Sequence, residues 1–354
     1  MSTIHNIPII DGHNDTLLAL HAPKPGKERS FFIESEHGHL DLPRAQRGQM
    51  GGGFYAIFTP SASGTDSPGA PTSGSYAMPM GAEVEQNVAL GHTVAMAAQL
   101  FQIEREADGA ARVVRTVQEL ADCLQSGVHA MIFHIEGAEA IDTELDALYV
   151  LYEAGLRSLG ITWSRPNAFA FGVPFQFPHS PDTGPGLTDA GKRLVRACNE
   201  LGVMLDLSHL NEKGFWDVAE LSAAPLVATH SGSHALCAVT PQTVTDAQLD
   251  AVAASGGIAG VNFNCSFLRE DGRLEADTPL EDIARHVDYM VERMGVDHVA
   301  FGSDFDGALM PLELKDVTGL PKLMELLRGH GYGEGELRKL AFENWLRVLG
   351  QSWK

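Results

Sequence analysis

Five residues at four places in the chain have the types and spacing to hold metal ions. His13 and Asp15 stand two apart in the run Asp11-Gly12-His13-Asn14-Asp15. In extended backbone that spacing puts both side chains on one face, as gripping a single cation requires. His209 closes Asp206-Leu207-Ser208-His209, and His230 sits in Thr229-His230-Ser231. If those two segments end adjacent strands, their rings meet over a second ion about 3.5–4 Å from the first. Glu136, in Phe133-His134-Ile135-Glu136-Gly137, has two oxygens with which to bridge the pair. The donors are nitrogen and oxygen without thiolate, a set that suits Zn²⁺ and also admits Mn²⁺ or Co²⁺. A metal pair brings the pKa of a bound water near neutrality. Asp304, in Gly302-Ser303-Asp304-Phe305-Asp306-Gly307, is the carboxylate placed to take a proton and return it to a leaving amine.

Each of these residues has a plainer reading. A single histidine is as readily a buried, hydrogen-bonded side chain as a ligand, and Asp304 could simply cap a turn. The combination at several strand ends carries the argument. His134, two before Glu136, shares its direction in a regular strand and is a reserve ligand. Asp306 is a second carboxylate, but Gly307 after it also fits a turn.

Positioning these groups needs a scaffold that brings many strand ends together. Eight short apolar runs recur: 7–10, 54–58, 128–135, 156–162, 203–207, 226–229, 257–263 and 298–302. Helical patterns lie between them at 84–106, 144–153, 187–201, 213–221, 246–254, 280–294, 320–328 and 335–349. Strands alternating with helices require a parallel sheet. Eight units predict an α/β fold, a closed (β/α)8 TIM barrel, with an open doubly wound sheet as the alternative. One catalytic domain is expected over residues 1–354. Residues 59–80 break the rhythm, with 15 Pro, Gly, Ser or Thr in 22 positions. They predict a long rim loop after the second strand.

Composition narrows the class of function. The formal charge is −21, and no stripe of Lys and Arg appears, which argues against nucleic acid as a partner. No apolar run is long enough to span a bilayer, so no membrane partner is expected. The start lacks the basic and apolar regions of a signal peptide. Four scattered cysteines without a CxxC pair read as reduced thiols, and a cytoplasmic location is expected.

The motifs around His13, Glu136, His209, His230 and Asp304, with Ala224-Pro225-Leu226-Val227-Ala228-Thr229-His230-Ser231, resemble the membrane (renal) dipeptidase family of zinc metallopeptidases in a soluble, bacterial-type version. The resemblance runs in order from about residue 8 to 347. It implies a barrel of the metal-dependent amidohydrolase type and hydrolysis of small dipeptides. It also implies two Zn²⁺ per chain: His13 and Asp15 on one, His209 and His230 on the other, Glu136 bridging, with Asp304 as acid and base. Family members often form homodimers, and several accept a D-residue at the C-terminal position. Some mammalian members carry a lipid anchor, which the polar end Gln351-Ser352-Trp353-Lys354 does not suggest.

Two departures concern the substrate. Where the mammalian-type pattern has a substrate-binding His, this chain reads Ile161-Thr162-Trp163-Ser164, and the stretch 239–243 lacks the family's carboxylate-binding Arg. Trp163 is then expected as a flat apolar wall, and Arg165, two residues on, as a substitute partner for the substrate carboxylate. Asn167 belongs to the same candidate substrate loop, and Arg269 is a second candidate cation. Rival activities are hydrolysis of N-acyl amino acids or other small amides, phosphotriester hydrolysis, and a catalytically silent barrel that binds metal or peptide.

Overall fold

The computed structural model describes residues 7–61, 75–239 and 243–354. Eight parallel strands form the barrel wall: β1 (Ile9–Asn14), β2 (Met50–Phe58), β3 (His129–Glu136), β4 (Ser158–Gly160), β5 (Met204–Asp206), β6 (Val227–Ala228), β7 (Ile258–Val261) and β8 (Val299–Phe301). They are hydrogen-bonded in that order, with a short extra strand, Ala111–Val113, also paired to β3. The β5–β6 contact is a single pair, Asp206 with Val227. Closure comes just above β8, where Asp304 N–H donates to His13 C=O at 3.0 Å and Asp15 N–H to Phe305 C=O at 2.8 Å. The expected (β/α)8 barrel is the observed one.

Crossover helices occupy nearly the expected spans. Asp246–Ala254 and Leu280–Met294 match end to end, and Asp189–Leu201 starts where Thr188 accepts from Gly191 N–H. Asn211 caps Glu212–Leu221 in the same way. The expected helix 335–349 is three pieces: Glu334–Arg338, a π-helical turn at Lys339–Glu343, and Asn344–Ser352. Trp345 in the last piece is buried and lies 4.8 Å from the Phe54 ring, joining this helix to the core.

Two parts of the scaffold escaped the periodicity argument. Strand β2 begins at Met50, four residues before the apolar run, and passes through three glycines. Glycine weakens a strand in general, but a Cβ on Gly52 would stand 2.4 Å from the Ala130 carbonyl oxygen. The glycines let β2 lie close between its neighbours. Helices Thr16–His21, Leu42–Arg47 and Val117–Ser126 lie outside the expected helical spans.

Of the expected rim loop at 59–80, residues 62–74 lie outside the described residues. Its later part is tied to the loop after β4: Tyr76–Ala77 pairs antiparallel with Gln176–Phe177, and Gly81 N–H donates to Ser164 C=O at 3.1 Å. The cysteines are buried and unpaired. Among the described residues, no helix is long and apolar enough to cross a membrane.

Candidate metal centre

The metal-type residues leave the wall at or just after its C-terminal edge. His13 is the fifth residue of β1, and Glu136 is the last of β3. His209 follows β5 by three residues, His230 follows β6 by two, and Asp304 follows β8 by three. The barrel therefore concentrates side chains from five strand ends on one mouth, as such barrels do for catalysis. Local sequence makes the close approach possible. A Cβ on Gly12 would meet the Thr229 carbonyl oxygen at 2.3 Å, so only glycine lets β1 run beside that strand end. His209 and Asp304 adopt left-handed backbone, φ 63° and 65°. Non-glycine residues hold that conformation at a cost, repaid by the surrounding structure.

One carboxylate oxygen is the point of convergence. Glu136 Oε1 lies 3.1 Å from His209 Nε2, 3.5 Å from His230 Nε2 and 3.8 Å from His13 Nε2. His209 and His230 face each other with Nε2 atoms 3.3 Å apart. Asp15 Oδ2 is 3.5 Å from His13 Nε2. Among the described residues, two groups of three have donor atoms close enough to share an ion: His13, Glu136 and His230, and His13, Asp15 and Asp304. All are buried.

The donor chemistry fits a metal. Among the described residues, neither ring nitrogen of the buried His13 has a hydrogen-bond partner, a costly state for a polar group that a cation would relieve. His209 Nδ1 is 3.1 Å from Ser164 Oγ, and His230 Nδ1 is 2.8 Å from Thr229 Oγ1. Those outer contacts leave the Nε2 atoms as inward donors. The electrostatics agree. Burial alone would lower the His13 pKa, but Glu136, Asp15 and Asp304 raise it to about 10. Burial opposes the charge on Glu136, yet the charge on His13 holds its carboxyl well below the usual range. Burial pushes Asp15 up to about 6 and lowers His209. Without an ion, a proton on His13 does the balancing.

Asp304 is held by Asn262, whose Nδ2 donates to Asp304 Oδ2 at 3.0 Å. Asn262 follows β7 by one residue; it lies inside the apolar run 257–263, so the sequence pattern does not mark it as a strand-end residue. Asp15 reaches His13 without the extended spacing expected, because β1 stops at Asn14 and Asp15 turns into the helix Thr16–His21. His134 is not in either metal-type group: its Nδ1 meets Ser158 Oγ at 2.9 Å, and burial lowers its pKa to about 4. Asp306 is a structural anchor, accepting from Thr16 Oγ1, Arg29 Nη2 and His39 N–H.

The substrate loop departs from expectation at two of its three residues. Trp163 stands beside the centre, its ring 6.0 Å from that of His209 and 5.7 Å from that of Phe175. Arg165 does not share that direction. Its N–H donates to the Trp163 carbonyl at 2.8 Å, a turn two residues long, so the alternation of extended backbone fails here. The guanidinium is 0% exposed and donates to Glu139 Oε1, Ser61 Oγ and the Thr59 carbonyl. Asn167 is spent on its own loop, donating to Ile161 C=O and accepting from Phe169 and Ala170 N–H. Neither is free to read a carboxylate. Arg269 is paired with Asp271, Glu275 and Asp277.

Comparison with known proteins finds matches over most of the chain. The family model for membrane dipeptidase, peptidase family M19, matches residues 2–353. A metallopeptidase described as dipeptidase AC of family M19 superposes with TM-score 0.91 at 49% identity, covering 99% of each chain. A metallopeptidase from Rhodobacter sphaeroides, bound to a phosphinate mimic of the dipeptide L-Ala-D-Ala, superposes with TM-score 0.91 at 48% identity, covering 98% of this chain and 99% of that one. An uncharacterized Klebsiella pneumoniae protein in the pqqA 5' region is 50% identical over 255 residues, 72% of this chain and 94% of that protein.

Proposed function

The chain belongs to the membrane dipeptidase family, peptidase family M19, and from that premise we propose a two-zinc dipeptidase that hydrolyses the peptide bond of small dipeptides. The observation that carries the reading is the convergence of three imidazole Nε2 atoms on one oxygen of Glu136. In this reading His13 and Asp15 hold one Zn²⁺, His209 and His230 the other, and Glu136 bridges. Bound there, zinc supplies Lewis acidity toward a carbonyl and a water acidic enough to be activated near neutral pH.

The protein groups do the rest. Asp304, fixed by Asn262 at Oδ2, takes the proton of the attacking water and returns it to the departing amine nitrogen. Glu136, whose carboxyl the neighbouring His13 holds well below the usual range in the metal-free protein, would supply the bridging oxygens. Trp163 and Phe175 give the mouth an apolar wall beside His209, which favours a dipeptide with a bulky apolar side chain. A D-residue at the C-terminal position belongs to the same proposal, supported by the dipeptide mimic held by the Rhodobacter sphaeroides relative. So do a single catalytic unit over residues 1–354, a homodimer and a cytoplasmic location. The test is a library of dipeptides, L and D at each position, assayed on protein of measured zinc content. Turnover of dipeptides over N-acyl amino acids and phosphotriesters is expected; full zinc loading without dipeptide turnover would overturn the reading.

A further inference from the structure

Beneath the metal-type residues lies a buried polar chain that the proposed chemistry does not use. Asp206 ends β5, where it pairs with Gly160 of β4 on one side and on the other with Val227, which begins β6. Two residues beyond Val227 stands Thr229, followed by His230. Asp206 Oδ1 accepts from Ser208 N–H at 3.0 Å and from Thr229 N–H at 2.8 Å, while Oδ2 accepts from Thr229 Oγ1 at 2.6 Å. Thr229 Oγ1 is also 2.8 Å from His230 Nδ1. The carboxylate is almost wholly enclosed, with 1% of its surface exposed, in a barrel interior ordinarily filled by branched hydrocarbon.

The direction of these bonds follows from the donor inventory. An ionised carboxylate only accepts, so the single hydroxyl proton of Thr229 is committed to Asp206. Its oxygen can then only accept from His230, which places the imidazole proton on Nδ1. His230 Nε2 is left with a lone pair, pointing toward Glu136 Oε1. The ring plane is fixed as well. His13 stacks on it at 3.8 Å between centroids, and the backbone that carries the ring is held by the His230 main-chain N–H, which donates to Ser208 Oγ at 3.2 Å.

We propose that Asp206 and Thr229 are positioning residues that lock His230 in the Nδ1–H tautomer, presenting Nε2 to the metal before any ion arrives. This rests on the reading of His230 as a metal ligand. The relay has a polarity that can be reversed without changing its size. In Asp206→Asn, the new amide donates to Thr229 Oγ1, whose hydroxyl must turn and donate to His230 Nδ1. The ring proton then moves to Nε2 and blocks the metal-binding position. Thr229→Val removes the hydroxyl at constant shape, and Thr229→Ser keeps it.

The experiment measures zinc affinity by chelator competition in the full-length wild type, T229S, T229V, D206N and H230A. Histidine ¹⁵N shifts are read in parallel on metal-free protein. Expected are zinc binding close to wild type in T229S and roughly 10–100-fold weaker binding in T229V and D206N, the usual size of an outer-shell loss. Wild-type His230 should show the Nδ1–H tautomer and D206N the Nε2–H tautomer. If H230A keeps full zinc, the ligand assignment itself fails. If H230A loses zinc while T229V and D206N bind as tightly as wild type, the relay is overturned and the assignment stands. Should a variant fail to fold, the wild-type tautomer still decides: Nε2–H on His230 would refute the proposal.

Discussion

Arg165→Met separates a structural arginine from one that reads substrate. The guanidinium is fully enclosed and bonded to Glu139, Ser61 and Thr59, with the rings of Phe58 and Trp163 at 5.0 and 5.4 Å. It ties the chain after β2 to the loops after β3 and β4. Glu139 has no second cation within salt-bridge distance among the described residues, and its Oε2 is already unpartnered. Removing the arginine strands a buried carboxylate, which costs about 3–5 kcal/mol. With an unfolding entropy of about 2.1 cal/mol/K per residue, a chain of 354 residues should lose roughly 4–7 °C in Tm. Glu139→Gln added to R165M removes the stranded charge and should restore part of that loss. The kinetic assay compares free dipeptides with their C-terminal amides. A structural arginine predicts equal effects on both. A selective rise in KM for the free acids, with Tm unchanged, would refute the reasoning and return Arg165 to the substrate carboxylate.

Two further outcomes follow from the centre. Asp304→Asn keeps the size of the side chain but cannot accept a proton; turnover should fall by roughly 10²–10⁴ with zinc content intact, and near-normal kcat in fully loaded D304N would remove Asp304 from the proton path. Metal-free protein should release a proton when zinc binds at pH 7, because His13, raised to about 10, is protonated there and must be neutral to ligate. Calorimetry in buffers of different ionisation enthalpy measures it, and a buffer-independent heat would contradict the assignment. The same shift has a sign for stability: since the folded value lies above the ordinary 6.5, the contribution of His13 to the metal-free fold is complete below about pH 6.5 and is lost as pH rises through about 10.

The barrel and its metal-type residues were legible because both follow one signal. An apolar run reports a strand, and the polar residue just past it reports the mouth, so His13, Glu136, His209, His230 and Asp304 could be gathered without knowing any contact. What was not legible depends on backbone that leaves the regular forms. The two-residue spacing of Trp163 and Arg165 predicts that both face the substrate, as residues two apart share a face in a strand; the tight turn from Trp163 to Arg165 cancels that rule. Asp15 broke the same rule yet still reached His13, because the helix beginning at Thr16 turns it inward. The left-handed conformations of His209 and Asp304 carry no mark in residue type, since neither is glycine. The glycines of β2 concealed a strand start, as their packing role is set by neighbours distant in the chain.

The most direct test of the two-zinc centre is elemental analysis of the full-length protein beside His209→Ala. His209 approaches Glu136 Oε1 more closely than the other two imidazoles, at 3.1 Å, and it stands three residues beyond the end of β5, outside the wall strands, so the barrel should stay folded without it. The account predicts about two zinc ions per wild-type chain and a clear fall in H209A, with dipeptide turnover lost in step. Unchanged zinc stoichiometry in a folded H209A would contradict it.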